Sequence, residues 1–142
     1  MKSDFILPTL IFALCIVKSS VADEDSRQLV QFPEMMQQHM LANMRDHLAA
    51  INQILEEMAM GQLEEAAEVA ESRIGMSSLE SHGASHMARF MPQVMRDIGS
   101  EMHRAASRFA LKAQEGDALA AYSALSKITS ACVACHSAYR IR

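Results

Sequence analysis

Cys132, Cys135 and His136 have the residue types and the spacing for covalent attachment of a haem. The run Cys132-Val133-Ala134-Cys135-His136 reads C-x-x-C-H, in which two thiols form thioether bonds to the two vinyl groups of one porphyrin. Cysteines three apart on a helix share a face, and the histidine four residues after Cys132 lies on the same side, within reach of the iron. The protein's share of such chemistry is the axial ligands, the burial and the electrostatics around the group. Three blander readings compete. A redox dithiol wants a βαβ setting, which this sequence does not offer. Half of a zinc site wants a second ligand pair at tight spacing, and His39, His47, His82, His86 and His103 form no such pair with a cysteine. A plain disulfide or a chance spacing is the third.

The elements that must position these residues read as helices. Alanine, methionine, leucine and glutamate dominate the chain after residue 22, and all are good helix formers. Helix one is expected to start near Pro33, a residue suited to a first turn, and to stop at Gly61. Met40, Met44, His47, Ile51, Ile54, Leu55 and Met58 recur along it at the three- and four-residue spacing of a buried face. Helix two covers about Leu63 to Ile74, with a solvated face of Glu64, Glu65, Glu68 and Glu71. Residues 75–91 read as a long connection with room for a short helical turn. Helix three runs from Pro92 to about Glu115; Gly116 ends it and Asp117 caps helix four. Leu119, Tyr122, Leu125, Thr129, Cys132, His136 and Tyr139 form the expected inner stripe of helix four. Four amphipathic helices with mostly short links predict an all-α, antiparallel four-helix bundle. The haem then lies between helices near the C-terminal end of helix four.

The first residues read as an address. Lys2 precedes an apolar run from Phe5 to Val17, and Ser20-Val21-Ala22 offers small residues to a signal peptidase. Residues 1–22 are therefore expected to be a removed signal peptide, with 23–142 forming one domain. The apolar run is short for a membrane span, so a retained anchor is the lesser reading, and a lipoprotein is disfavoured because Leu14, not a small residue, precedes Cys15. Cleavage removes Cys15, so both remaining cysteines belong to the haem motif. It also removes Lys2, Lys18 and Asp4, which moves the net charge from −4 to near −5. That balance argues against nucleic acid as a partner, and the mature chain offers no membrane span.

Cys132, Cys135, His136, Tyr139 and Arg140, a C-x-x-C-H-x-x-Y-R run at the C-terminal end of an all-α chain, resemble the cytochrome c-prime family and its low-spin relatives. The resemblance in architecture spans about residues 30–142, and outside the motif it rests on pattern. It implies a four-helix bundle, one covalent haem c, periplasmic residence and frequent homodimers. It also implies that His136 is the proximal iron ligand and that Arg140 is the basic residue beside it. The segment from His82 to Pro92 and the run Met102-His103-Arg104 depart from the typical pattern and suggest a distinct branch.

The position opposite His136 sets the chemistry: a sulfur ligand suits electron transfer, and an open site suits small gases. Helix one carries Met35, Met36, Met40, Met44, Met58 and Met60, of which Met40 and Met44 lie on the expected inner face. Met40 or Met44 is the candidate distal ligand, with core filling as the plain alternative role for each. Leu41 could instead supply an apolar lid. His47 or His103 is a lesser candidate, and His39, His82 and His86 read most simply as surface or loop residues. Arg104, Arg108 and Lys112 read as a solvated stripe, with docking of an acidic partner as the alternative.

The leading expectation is a periplasmic monohaem electron carrier that cycles between Fe(II) and Fe(III) and serves redox partner proteins. The alternative is a five-coordinate haem protein that binds nitric oxide or another small gas. A copper-binding role for the histidine- and methionine-rich segments is a third reading. No nucleophile–base pair or second cofactor motif supports an enzyme.

Overall fold

The computed structural model describes residues 25–142, and the signal-peptide reading falls outside them. The order is β1 (Gln28–Leu29), α1 (Glu34–Ala59), α2 (Leu63–Arg73), a 3₁₀ turn (Met76–Ser78), α3 (Ala84–Ala88), α4 (Gln93–Gln114), α5 (Ala118–Ala138) and β2 (Tyr139–Arg140). The chain is mostly helical, and its fold class is all-α.

Local chemistry sets the helix ends. Pro33, at φ −54°, leads into α1 with Glu34 in the favourable first turn. Glu64 and Glu65 open α2 and Arg73 closes it, each complementing the helix dipole. Gly116 takes a left-handed φ of +77°, and the Asp117 carboxylate then accepts a 2.9 Å hydrogen bond from the Ala120 N–H to cap α5. These ends fall within a residue or two of the expected ones.

Packing runs in sequence order: α1 on α2, α2 on α4, and α4 on α5. One dense core joins the C-terminal half of α1, all of α2, the C-terminal half of α4 and the N-terminal half of α5. Phe109, Ile54, Ile74 and Ile128 are its largest fully buried side chains. Ala66, Ala67 and Ala70 are wholly buried on α2 and allow its neighbours a close approach. Arg73 anchors the end of α2 to α1 through hydrogen bonds to Asp46 and Gln53. α2 is only 11 residues long, so it cannot accompany the 26 residues of α1 along their length. The remaining halves of α1, α4 and α5 therefore surround a cavity, and α1 and α5 are not among the extensively packed pairs.

Three expectations need correction. Leu119 and Tyr122 are 81% and 47% exposed, and Thr129 and His136 are exposed as well, so the buried stripe of α5 runs through Ala121, Leu125 and Ile128 instead. α5 is apolar on several sides, so its periodicity did not single out one face. Leu55, expected inside on α1, is 44% exposed, and Ala50 is buried instead. Tyr139 does not continue the helix. It is extended and pairs with Gln28 in a short parallel ladder, with the Val30 N–H donating to the Arg140 carbonyl at 2.8 Å.

Candidate functional site

Cys132, Cys135 and His136 lie in the last turns of α5 and line one side of a cavity of about 760 Å³. That volume falls within the range of about 300–1,000 Å³ that encloses a cofactor-sized ligand. Both thiols are half-buried, and burial pushes their pKa values up, with Cys132 adding to the effect at Cys135. A redox C-x-x-C draws its reactivity from a lowered pKa at a helix N-terminus. These cysteines sit at the opposite end of their helix and stay protonated, which counts against the dithiol reading. Among the described residues no three His, Cys, Asp or Glu side chains focus on one metal position as they stand.

α1 forms the facing wall. Met40, Leu41, Met44, Leu48 and Ile51 line the cavity from it. Leu48 is 72% exposed, the signature of an apolar side chain that borders a void. Met35 and Met60 are 85% and 63% exposed, and Met58 is packed in the core, so the α1 thioethers on the cavity are Met40 and Met44. Met40 is already buried, and Met44 is half-buried. The α3–α4 side adds Met87, Met91, Met95 and Met102, which the sequence reading did not weigh as cavity residues. Their spacing of four, four and seven residues across Pro92 is the signal that could have shown them.

The cavity also has a histidine wall. His47 of α1, His82 of the connection and His103 of α4 all line it and are only 7%, 8% and 8% exposed. Their ring centroids are 4.7 Å apart for His47 and His82, 5.6 Å for His82 and His103, and 5.9 Å for His47 and His103. The expected surface position of His82 is thus corrected. The turn at Met76–Ser78 folds its segment inward, where the His82 carbonyl accepts 3.0 Å hydrogen bonds from His39 Nε2 and Asn43 Nδ2. His39 and His86 are exposed, as expected. Burial, then the like charges of His82 and His103, lower the His47 pKa to about 4. Burial also lowers His82 and His103. All three are neutral near pH 7.

Arg27, Tyr139, Arg140 and Ile141 line the cavity near His136. The β1–β2 ladder brings Arg27 there, and its guanidinium reaches the His136 carbonyl at 3.3 Å. Asp25 sits between the two arginines, and its carboxyl is lowered to about 2, chiefly by the Arg27 hydrogen bonds. Arg140 Nε is 3.5 Å from Asp25 Oδ2 but makes no hydrogen bond, so this buried donor is unsatisfied among the described residues. Elsewhere, Arg104 and Arg108 both pair with Glu101, and Lys112 pairs with Glu115, which fits the solvated-stripe reading. Comparison of the chain with protein-family models, with curated proteins and with solved structures finds no match.

Proposed function

We propose that the chain is a periplasmic monohaem c-type cytochrome that acts as an electron carrier. The observation that carries this reading is the C-x-x-C-H set on the wall of a large, mostly apolar cavity. The residues present fit the group. The cavity has cofactor dimensions, the thiols are on its wall, and the unsatisfied Arg140 Nε offers a donor for a carboxylate at its edge. Cys132 and Cys135 would form the two thioethers. His136 would ligate the iron from the α5 side, with Arg27 and Arg140 holding the propionate carboxylates. Bound there, haem supplies a reversible one-electron couple. Leu41 and Ile51, half-buried on the cavity wall, would exclude water from one side of it, which would tune that couple through the local dielectric.

In this reading α1, α2, α4 and α5 are the four helices of an antiparallel bundle, with the haem toward the C-terminal end of α5. That arrangement accords with the resemblance to the cytochrome c-prime family. Met40 or Met44 would supply a second ligand to the iron from α1. Partners would be periplasmic redox proteins, and the chain itself is a candidate homodimer.

Haem staining after denaturing gel electrophoresis tests the attachment. The band should carry colour, and the Cys132→Ala/Cys135→Ala double variant should not; colour that persists in the double variant overturns the reading. Absorption spectra of the ferric and ferrous holoprotein test the ligation. A low-spin spectrum with the weak near-infrared band of sulfur–ferric ligation is expected. One of Met40→Ala and Met44→Ala should open the site to carbon monoxide, and the other should only loosen packing. A wild-type protein that is high-spin and takes up carbon monoxide favours the gas-binding alternative, in which Leu41, on the same wall as both methionines, is the lid.

A further inference from the structure

His47, His82 and His103 come from three different segments and are each more than nine-tenths buried. Most buried histidines are retained by a carboxylate or by backbone hydrogen bonds to both ring nitrogens. Among the described residues these three have no carboxylate hydrogen-bond partner. Ile74 O accepts from His103 Nδ1, and Ser78 Oγ lies 3.3 Å from His82 Nδ1. The Ser78 hydroxyl donates its one hydrogen to the Gly75 carbonyl at 2.7 Å, so toward His82 it can only accept. Both contacts fix the proton on Nδ1 and leave Nε2 of His82 and of His103 as free lone pairs. His47 Nδ1 is buried with no partner at all among the described residues. An unpaired buried imidazole nitrogen costs desolvation energy that nothing in the protein repays.

We propose that His47, His82 and His103 form a binding site for a late first-row divalent ion, Cu(II) or Zn(II), beside the cavity. The dimensions fit. Three imidazoles around one tetrahedral ion at about 2.1 Å from each nitrogen place their ring centroids about 5.3 Å apart; the three separations here run from 4.7 to 5.9 Å. His47 Nε2 lies 3.4 Å from His82 Nδ1, so these two rings are already in contact. The outer supports of a metal site are also present. A backbone carbonyl holding His103 Nδ1 is the usual device for aiming Nε2 at an ion, and His39 with Asn43 clamps the His82 backbone to α1. The rings do not share one focus as they stand. Bringing them to it requires rotation of His47 and His82 about their Cβ–Cγ bonds, a broad and soft torsion, while His103 stays on the Ile74 carbonyl. The donor set is all imidazole, which suits copper and zinc over magnesium or calcium. Three protein ligands leave a fourth position open, and the trio lines the cavity. The site does not depend on the haem reading, because none of its residues belongs to the C-x-x-C-H motif.

The test uses the holoprotein after chelator treatment, titrated separately with Zn(II) and Cu(II) by calorimetry and desalted before metal analysis. One equivalent per chain is expected, with Cu(II) displacing Zn(II). His47→Ala, His82→Ala and His103→Ala should each weaken binding by about 100-fold or more, while His86→Ala should leave it unchanged. Should a variant fail to fold, electron paramagnetic resonance of the wild-type Cu(II) form decides alone: its hyperfine pattern should report three nitrogen ligands. No retained equivalent, fewer than three nitrogens, or binding that survives all three substitutions overturns the proposal. Haem staining of the same sample separates that failure from a failure of the haem reading.

Discussion

At the scale of single residues, spacing and burial carry different information. Cys132, Cys135 and His136 lie within five consecutive residues, so the haem attachment proposed for them rests on spacing that is legible before folding. His47, His82 and His103 are separated by 35 and 21 positions, and only burial against one another gives them a role. Their burial has a consequence for pH. The His47 pKa is about 4 in the folded chain against 6.5 when unfolded, so the unfolded state binds protons first as the medium is acidified. The stability this group contributes is complete above pH 6.5 and is lost as pH falls toward 4, on the order of 3 kcal/mol at most. The denaturant midpoint of chelator-treated protein should fall across that window. His47→Gln should flatten the fall; an unchanged slope would show that another group controls it.

At the scale of elements, the helices follow from local sequence. Pro33, Gly61, Pro92, Gly116 and Asp117 mark their ends in the chain and in the structure. The cap is worth testing, because Asp117 accepts from the Ala120 N–H. Asp117→Ala should cost about 1 kcal/mol of unfolding free energy, read from the denaturant midpoint. The connection between α2 and α4 was less legible. Gly83 sits there at φ +62°, and a Cβ on it would meet His39 Nε2 at 3.3 Å. Gly83→Ala should therefore destabilise by about 1 kcal/mol and loosen the clamp on the His82 carbonyl. Faster amide exchange in residues 79–88 would show it, and unchanged exchange would mean the clamp tolerates the strain. α5 is long and apolar enough to cross a membrane by length and composition. It packs on α4 and borders the cavity, yet only 17% of that apolar window is buried.

At the scale of the whole molecule, a solid end supports a hollow one. Phe109 is fully buried in the solid core. Phe109→Ala should cost about 3–5 kcal/mol, checked by chemical unfolding, and should do so with or without a cofactor. The hollow end behaves oppositely. Its apolar walls, Leu48 among them, lack a partner within the chain. A ligand that fills the cavity in the folded state alone raises stability by mass action, or permanently when covalent. The haem-free chain should melt well below the holoprotein. Equal melting temperatures would place any haem at the periphery.

The sequence by itself determined the C-x-x-C-H spacing, the helical class and most helix ends, because those depend on neighbours within about one turn. The tertiary structure decided which side chains meet. Of the six methionines expected on helix one, it faces Met40 and Met44 to the cavity, exposes Met35 and Met60, half-buries Met36 and packs Met58 in the core. It turned His82 from an expected loop residue into a buried one. It set Arg27 beside His136 through a two-residue strand pair that no periodicity could announce. The physical reason is the short α2. Where a long neighbour continues, periodicity predicts a buried face; where it stops, the same face borders a void, and only the folded chain shows which residues line it.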